Sequence, residues 1–189
     1  DLGSDRLLAS LDEGWEYLYW YPAQVDTSIR PGWFYHPEEE PHSLERLQRT
    51  YITSVGGNAC FHLNIPPTQD GLFDPRDVAR LKELGDWLKE SFSRPLEARM
   101  EQSGWEYTLT FAEKTAVRYV VLQEDIRQGQ RVEAFSLEEQ DEYGLWRAIY
   151  HGSTIGHKRI CPVSTQTSAL RVRIRSARDA VNMLSIQAY

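Results

Sequence analysis

The stretch ACFHLNIPPTQDGLFDPRDVARLKELGDWLKESF, residues 59–92, reads as a strand, a turn and a helix. Ala59 to Ile65 is a short apolar run, stopped by Pro66-Pro67. Asp70-Gly71 marks a turn. Asp74 stands as a helix N-cap, and Pro75 takes the first helical position, where its missing N–H is not needed. Asp77 adds favourable negative charge to the first turn. Val78, Leu81, Leu84, Leu88 and Phe92 then make one apolar stripe, with Arg80, Lys82, Glu83, Lys89 and Glu90 largely outside it. This predicts a helix over 75–92.

Upstream the same order repeats. Ser43 is placed to cap a helix over 43–55, and Arg46 three residues on means no reciprocal capping box. Leu44, Leu47, Tyr51, Ile52 and Val55 share a face, and Gly56-Gly57 closes the helix. Before it, Tyr17-Leu18-Tyr19-Trp20-Tyr21 has the β-propensity of a buried strand that ends at Pro22. Residues 26–42 then form a long loop with Pro31-Gly32 as its turn, and residues 1–16 a polar approach with a helical hint at Leu7, Leu8 and Leu11. Strand, loop, helix, twice over, is the rhythm of an α/β unit with parallel strands.

After Pro95 the rhythm changes. Seven short β-prone segments, 105–111, 117–122, 131–137, 145–150, 157–163, 169–175 and 183–189, are divided by turn signals such as Gln128-Gly129 and His151-Gly152-Ser153. This spacing predicts a β-sandwich. Leu170-Arg171-Val172-Arg173-Ile174-Arg175 alternates strictly, and its arginines read as the wet face of an antiparallel sheet rather than a basic binding stripe. The fold class is therefore α/β plus all-β, with residues 1–94 the end of an α/β domain and 95–189 a small all-β domain. Two strand–helix pairs cannot close a parallel barrel, so the rest of the α/β domain is expected upstream of Asp1.

The chain has 189 residues and a net charge of −7, which argues against general affinity for nucleic acid or an anionic membrane surface. No apolar run is long enough for a membrane-spanning helix. Cys60 and Cys161 read as two buried free thiols, not a disulfide framework. The start at Asp1, without methionine, predicts a processed chain or an excerpt, so the N-terminus carries no information on location. Six Trp, ten Tyr and six Phe suit a sugar pocket and equally an ordinary β-rich core.

Two motifs narrow the choice. YPAQVDTSIRPGWFYH, residues 21–36, followed by LERLQRTYITSVGGNACFHLNIPPTQDGLFDPRDVARLKELGDWL, residues 44–88, resembles the α-L-fucosidases of glycoside hydrolase family 29. The likeness is closest to the branch acting on α-1,3- and α-1,4-linked fucose. The family pattern Ser-Val-Gly-X-Asn…Leu-Asn-X-Pro-Pro, with a following Gly-Leu, is matched by Ser54, Val55, Gly56, Asn58, Leu63, Asn64, Pro66, Pro67, Gly71 and Leu72. VVLQEDIRQGQRVEAFSLE, residues 120–138, and GSTIGHKRI, residues 152–160, resemble the family's C-terminal β-sandwich. The resemblance implies the last strands and helices of a TIM-like (β/α) barrel followed by a galactose-binding-like sandwich. It implies a retaining hydrolase that releases L-fucose without metal or organic cofactor.

Retaining hydrolysis needs two carboxyl groups about 5–5.5 Å apart. The resemblance puts the acid/base glutamate directly after Pro-Ala, where this chain has Gln24. An amide keeps the shape and hydrogen bonding of glutamate but has no proton to give. The expectation is an engineered Glu→Gln change that traps intact substrate with very slow turnover; the alternative is a natural glutamine in a binding protein or in an enzyme that recruits another acid. Asp26 is a possible substitute acid or sugar ligand, or else a loop brace for Ser28 or Arg30. Trp33 and Tyr35 are candidate walls against fucose, with loop packing as their plainer reading. Arg30 is a candidate ligand for a sugar hydroxyl or a structural ion pair.

His36 and His62 have no third metal ligand beside them, and His62 reads as a satisfied barrel histidine. Asn64 ends a strand and is a candidate brace for the pocket floor, with a structural turn at Pro66-Pro67 as its plainer reading. Glu38-Glu39-Glu40 reads as a solvated loop tip. No residue matches the nucleophile aspartate, and Asp1, Asp5 and Asp12 lie in the approach segment. The expected partners are a fucosylated oligosaccharide of Lewis type and an upstream barrel half, in the same or a separate chain. The rival expectation is a non-catalytic protein that binds fucosylated glycans.

Overall fold

The structure, a computed structural model, describes residues 9, 10, 17, 19 and 21–189. The expected helical hint at Leu7, Leu8 and Leu11 lies outside the described residues, as do Leu18 and Trp20. The first strand is β1, Gln24–Ser28, and it is followed by α1, Leu44–Ser54, β2, Cys60–Asn64, and α2, Pro75–Phe92. β1 and β2 pair in parallel, with Gln24 beside Cys60 and Ser28 beside Asn64. A parallel pair needs a crossover, and α1 supplies it. Both helix starts match the sequence reading. Ser43 accepts from the Arg46 N–H at 3.3 Å, and Asp74 accepts from the Arg76 N–H at 2.8 Å.

One expectation is corrected. The first strand is Gln24–Ser28; Tyr17, Tyr19 and Tyr21 are not in a strand and are exposed. Gln24 thus opens a strand instead of following one.

Strand alternation gives β1 and β2 two faces. Ile29, at the end of β1, joins Leu47 of α1 and Leu84 of α2 in a buried cluster, against which Leu63, Ile65, Leu81 and Trp87 pack. The other face carries Gln24, Asp26 and Ser28 beside Cys60, His62 and Asn64. Cys60 and His62 are exposed there, so the expected buried thiol and satisfied histidine are corrected. Val78, expected in the α2 stripe, is half exposed, and Trp87 packs in the cluster in its place.

The remaining strands form one antiparallel sheet: β3, Arg99–Ser103, β4, Glu106–Glu124, β5, Val132–Gln140, β6, Trp146–Gly152, β7, Arg159–Ala177, and β8, Met183–Ala188. The order is β3-β4-β7-β5-β6, with β8 also paired to β4. Four of the expected segments merge into two long strands, because 105–111 continues into 117–122 as β4 and 157–163 into 169–175 as β7. Register shifts between Thr110 and Thr115, and again between Val117 and Tyr119, interrupt the β4–β7 ladder. Such irregularities bend a strand. Residues from both halves of β4 and β7, including Leu109, Leu122, Cys161 and Val172, share a single buried core with Phe135 of β5 and Ile186 of β8. Burial pushes the Cys161 thiol up to about 12, as expected of an inert core cysteine.

The arginines of β7 are ion-paired across the sheet. Arg175 meets Glu138 at 2.6 Å, Arg173 meets Glu106 at 2.9 Å, and Arg171 pairs with both glutamates and lies 4.4 Å over the Trp146 ring. Their charge is matched by cross-strand carboxylates, which fits the structural reading of this face.

The α/β and β parts meet along a close seam. The Ile160 N–H donates to the Gly56 carbonyl at 3.1 Å. Asn58, at φ 70°, donates from Nδ2 to the Ile155 carbonyl at 2.9 Å and accepts from the Lys158 N–H at Oδ1, also at 2.9 Å. Phe92 packs on Tyr119 and Tyr189, with ring centroids 5.0 and 5.6 Å away.

Candidate sugar-binding rim

In a parallel α/β arrangement, ligands gather at the C-terminal ends of the strands, where the loops can vary without disturbing the sheet. Here that end is marked by Ser28 and Asn64. The loop after β1 is organised around Arg30, which is fully buried. Arg30 Nε donates to both Asp77 oxygens, at 2.9 and 3.1 Å, and Nη2 lies 3.2 Å from Asp74 Oδ2. Its Nη1 donates to the His36 carbonyl at 3.1 Å and to the Glu39 carbonyl. The guanidinium also lies 4.9 Å over the Tyr35 ring, and Tyr35 donates its hydroxyl to Asp74 Oδ2 at 3.0 Å. A buried cation requires ion pairs and hydrogen bonds of this kind, and Nη2 alone has its ion pair without a hydrogen bond.

The helix start and the loop are therefore one ionic assembly. Arg76 extends it, donating to Asp74 at 2.8 Å and to Glu40 at 2.6 Å. The Arg76 side chain and N–H hold the Asp74 carboxyl well below the usual carboxylate range, outweighing partial burial. Asp74 thus favours the fold above its unfolded pKa, and that contribution is lost as pH falls through its folded value. The hydrogen bond to Asp74, aided by burial, pushes the Tyr35 phenol up.

These contacts answer several expectations. Arg30 serves as the structural ion pair; its guanidinium is enclosed and engaged, so the sugar-hydroxyl role is corrected. The Tyr35 hydroxyl is committed to Asp74. Glu38-Glu39-Glu40 is only partly a solvated tip, because Glu39 is held through its carbonyl and Glu40 through Arg76. Asp26 faces the exposed side of β1 beside His62, while Ser28 Oγ accepts from the Arg30 N–H and from Asn64, so Asp26 is not its brace. Trp33 is 52% exposed at the strand end, where its carbonyl accepts from Asn64.

Gln24 sits elsewhere. It is the first residue of β1, four residues before Ser28, roughly 13 Å away at about 3.3 Å per residue. A general acid must come within hydrogen-bond reach of the leaving oxygen. Gln24 therefore stands at the other end of β1 from the loop that carries Trp33. The expected acid/base position at residue 24 came from the family motif and from placing it in a strand-end loop; the structure makes it the first residue of β1 instead. A cleft of about 800 Å³ also opens at the foot, lined in part by Tyr19, Tyr21, Ala23, Cys60, His157 and Lys158. It lies at the opposite end of the strands from Trp33.

Sequence reasoning missed the Asp77 partner of Arg30. Its only signal was a carboxylate in the first turn of α2, which also has an ordinary helix-dipole explanation.

A family model described as alpha-L-fucosidase matches residues 14–91. Alpha-L-fucosidase 1 of Arabidopsis thaliana is 30% identical, over 75% of this chain and 35% of that protein. A solved structure from Bacteroides ovatus is similar over 100% of this chain and 33% of its own, at 40% identity and a TM-score of 0.85. A glycoside hydrolase 29 family member from an unknown rumen bacterium is similar over 90% of this chain and 33% of its own, at 34% identity and a TM-score of 0.84. The chain thus spans about a third of the length of these relatives.

Proposed function

Because this chain belongs to the α-L-fucosidase family, glycoside hydrolase family 29, we propose that it forms one wall of the pocket of a retaining α-L-fucosidase. In this reading β1 and β2 are strands of a TIM-like (β/α) barrel, and residues 95–189 are a β-sandwich packed against it. The observation that carries the proposal is the similarity of both parts to fucosidase relatives, together with the exposed Trp33 at the strand ends. L-Fucose has an apolar methyl at C6, and an indole face beside polar groups suits such a sugar. Trp33 supplies the wall, and Asp26, on the strand that precedes its loop, lies deeper to meet a hydroxyl. The nucleophile and the acid/base carboxyl belong to the part of the enzyme outside these residues, which corresponds to about two thirds of the relatives' length.

The substrate we propose is α-1,3- or α-1,4-linked L-fucose on a Lewis-type oligosaccharide. Support for the linkage comes from the motif over residues 21–36, which resembles that branch of the family. The full-length protein should free L-fucose from a Lewis trisaccharide with a kcat/KM at least about tenfold above that for an α-1,2-linked fucoside, a ratio one or two pocket contacts can supply. Equal rates would remove the linkage assignment. Binding of the trisaccharide with no fucose released from either compound would make the protein a glycan binder.

A further inference from the structure

Asn64, the last residue of β2, joins parts of the rim that are far apart in sequence. Its Nδ2 donates to Ser28 Oγ at 3.1 Å and to the Trp33 carbonyl at 3.0 Å. Its own carbonyl accepts from the Ile29 N–H at 2.9 Å. Ser28 Oγ accepts a second bond, from the Arg30 N–H at 3.3 Å. The end of β1 and the main chain of Trp33 are thus tied to one side chain on the neighbouring strand. The far side of the loop is fixed separately, by Arg30 on the His36 and Glu39 carbonyls and by the His42 N–H on the Ile29 carbonyl at 2.7 Å. With both flanks held, the Asn64 amide fixes the main chain of Trp33 relative to the strand ends.

We propose that Asn64 is a positioning residue that sets the Trp33 wall for the fucose ring. The inference rests on the reading of Trp33 as a pocket wall and deepens it. The chemistry is specific to an amide. The Trp33 carbonyl it meets can only accept, and an ionised aspartate of the same shape has no donor for it and would face it with negative charge, even where the Ser28 hydroxyl turns to donate. Removing a donor from such a site costs binding without touching the groups that break the glycosidic bond. An interaction of that kind moves KM and leaves kcat.

The test compares wild type, N64D, W33A and the double variant in the intact enzyme, with an aryl α-L-fucoside as substrate and free L-fucose as inhibitor. N64D should raise KM and the fucose inhibition constant about tenfold, with kcat changed less than about threefold. On the W33A background N64D should add little, because both changes spoil one wall. A KM unchanged by N64D, or full additivity with W33A, overturns the proposal. So does a parallel loss of kcat and of the urea midpoint, the mark of a merely structural residue. Trp33 fluorescence, taken as the difference between each Trp33 form and its W33A partner, reads the wall without turnover. It should become more open to acrylamide quenching in N64D, and unchanged quenching also counts against the proposal. If the wild type frees no fucose, the fucosidase reading fails while this fluorescence still decides the positioning role.

Discussion

Replacing Arg30 by methionine should destabilise the protein by about 3–5 kcal/mol, the usual consequence of breaking a fully buried ion pair from one side. Arg30 and Asp77 are both without solvent exposure. Methionine fills much of the arginine volume, so the loss is not a cavity effect. What remains is the Asp77 carboxylate, buried with its cation gone, and the His36 and Glu39 carbonyls without their donor. Such a loss is a large share of the 5–15 kcal/mol that holds a typical domain together. The companion variant R30M/D77L removes both charges and should recover part of the stability, since an apolar pair has no uncompensated ion. Urea unfolding gives both values. A loss under about 1 kcal/mol in R30M would show that solvent reaches the cluster and that Arg30 is not the structural centre of the loop.

Gly56→Ala should cost about 2–3 kcal/mol, within the range for forced overpacking. A β-carbon at residue 56 would stand 2.3 Å from the Ile52 carbonyl oxygen and 2.6 Å from Ile160 Cβ. The first neighbour is helix backbone and the second is the root of a β-branched side chain, so neither gives way cheaply. The site is also the seam between the two parts of the chain, where Ile160 donates to the Gly56 carbonyl. Relief by separation would break that bond and strain the Asn58 contacts beside it. Amide exchange at Lys158 and Ile160 should therefore quicken along with the fall in stability. Gly85→Ala is the matched control. Nothing lies within 4 Å of a β-carbon there, and residue 85 is inside α2, so alanine should stabilise by roughly 0.5–1 kcal/mol. The same chemical change with opposite signs isolates packing as the cause.

The motif Ser54-Val55-Gly56-Gly57-Asn58 thereby gains a physical reason. Gly56 permits the close approach of β7, and Asn58 accepts a left-handed backbone to reach the segment before it. Gly156, at φ +63°, belongs to the same fit, because a β-carbon on it would meet Asn58 Oδ1 at 2.7 Å. The two sequence motifs, residues 54–58 and 152–160, are the two sides of one joint.

What the sequence made legible was local. Asp74-Pro75 announced a helix start because the cap and the proline act within one turn. Tyr17–Tyr21 misled because aromatic β-propensity reflects packing on a half-buried surface, and those tyrosines are exposed. Gln24–Ser28 escaped notice because one of its faces is polar, unlike a parallel strand buried on both sides. β3, Arg99–Ser103, carries no apolar alternation at all and is exposed throughout, as an edge strand can be. The centre of β7, Ser164 to Ser168, fell between two expected segments, yet the strand runs through it. Arg30–Asp77 and Asn64–Trp33 were beyond reach for another reason: they join residues 47 and 31 positions apart, and only the fold brings them together.

The most direct test of the account measures L-fucose release by the full-length protein as it stands, with Gln24, and by its Q24E variant. Gln24 lies at the foot of β1, away from the rim that carries Trp33. With the acid/base carboxyl outside these residues, as proposed, the wild type should hydrolyse an aryl α-L-fucoside, and Q24E should stay within about threefold of it. A wild type that is inert, and that gains the ~10²–10⁴-fold of a restored general acid in Q24E, would contradict the account and return residue 24 to the catalytic centre.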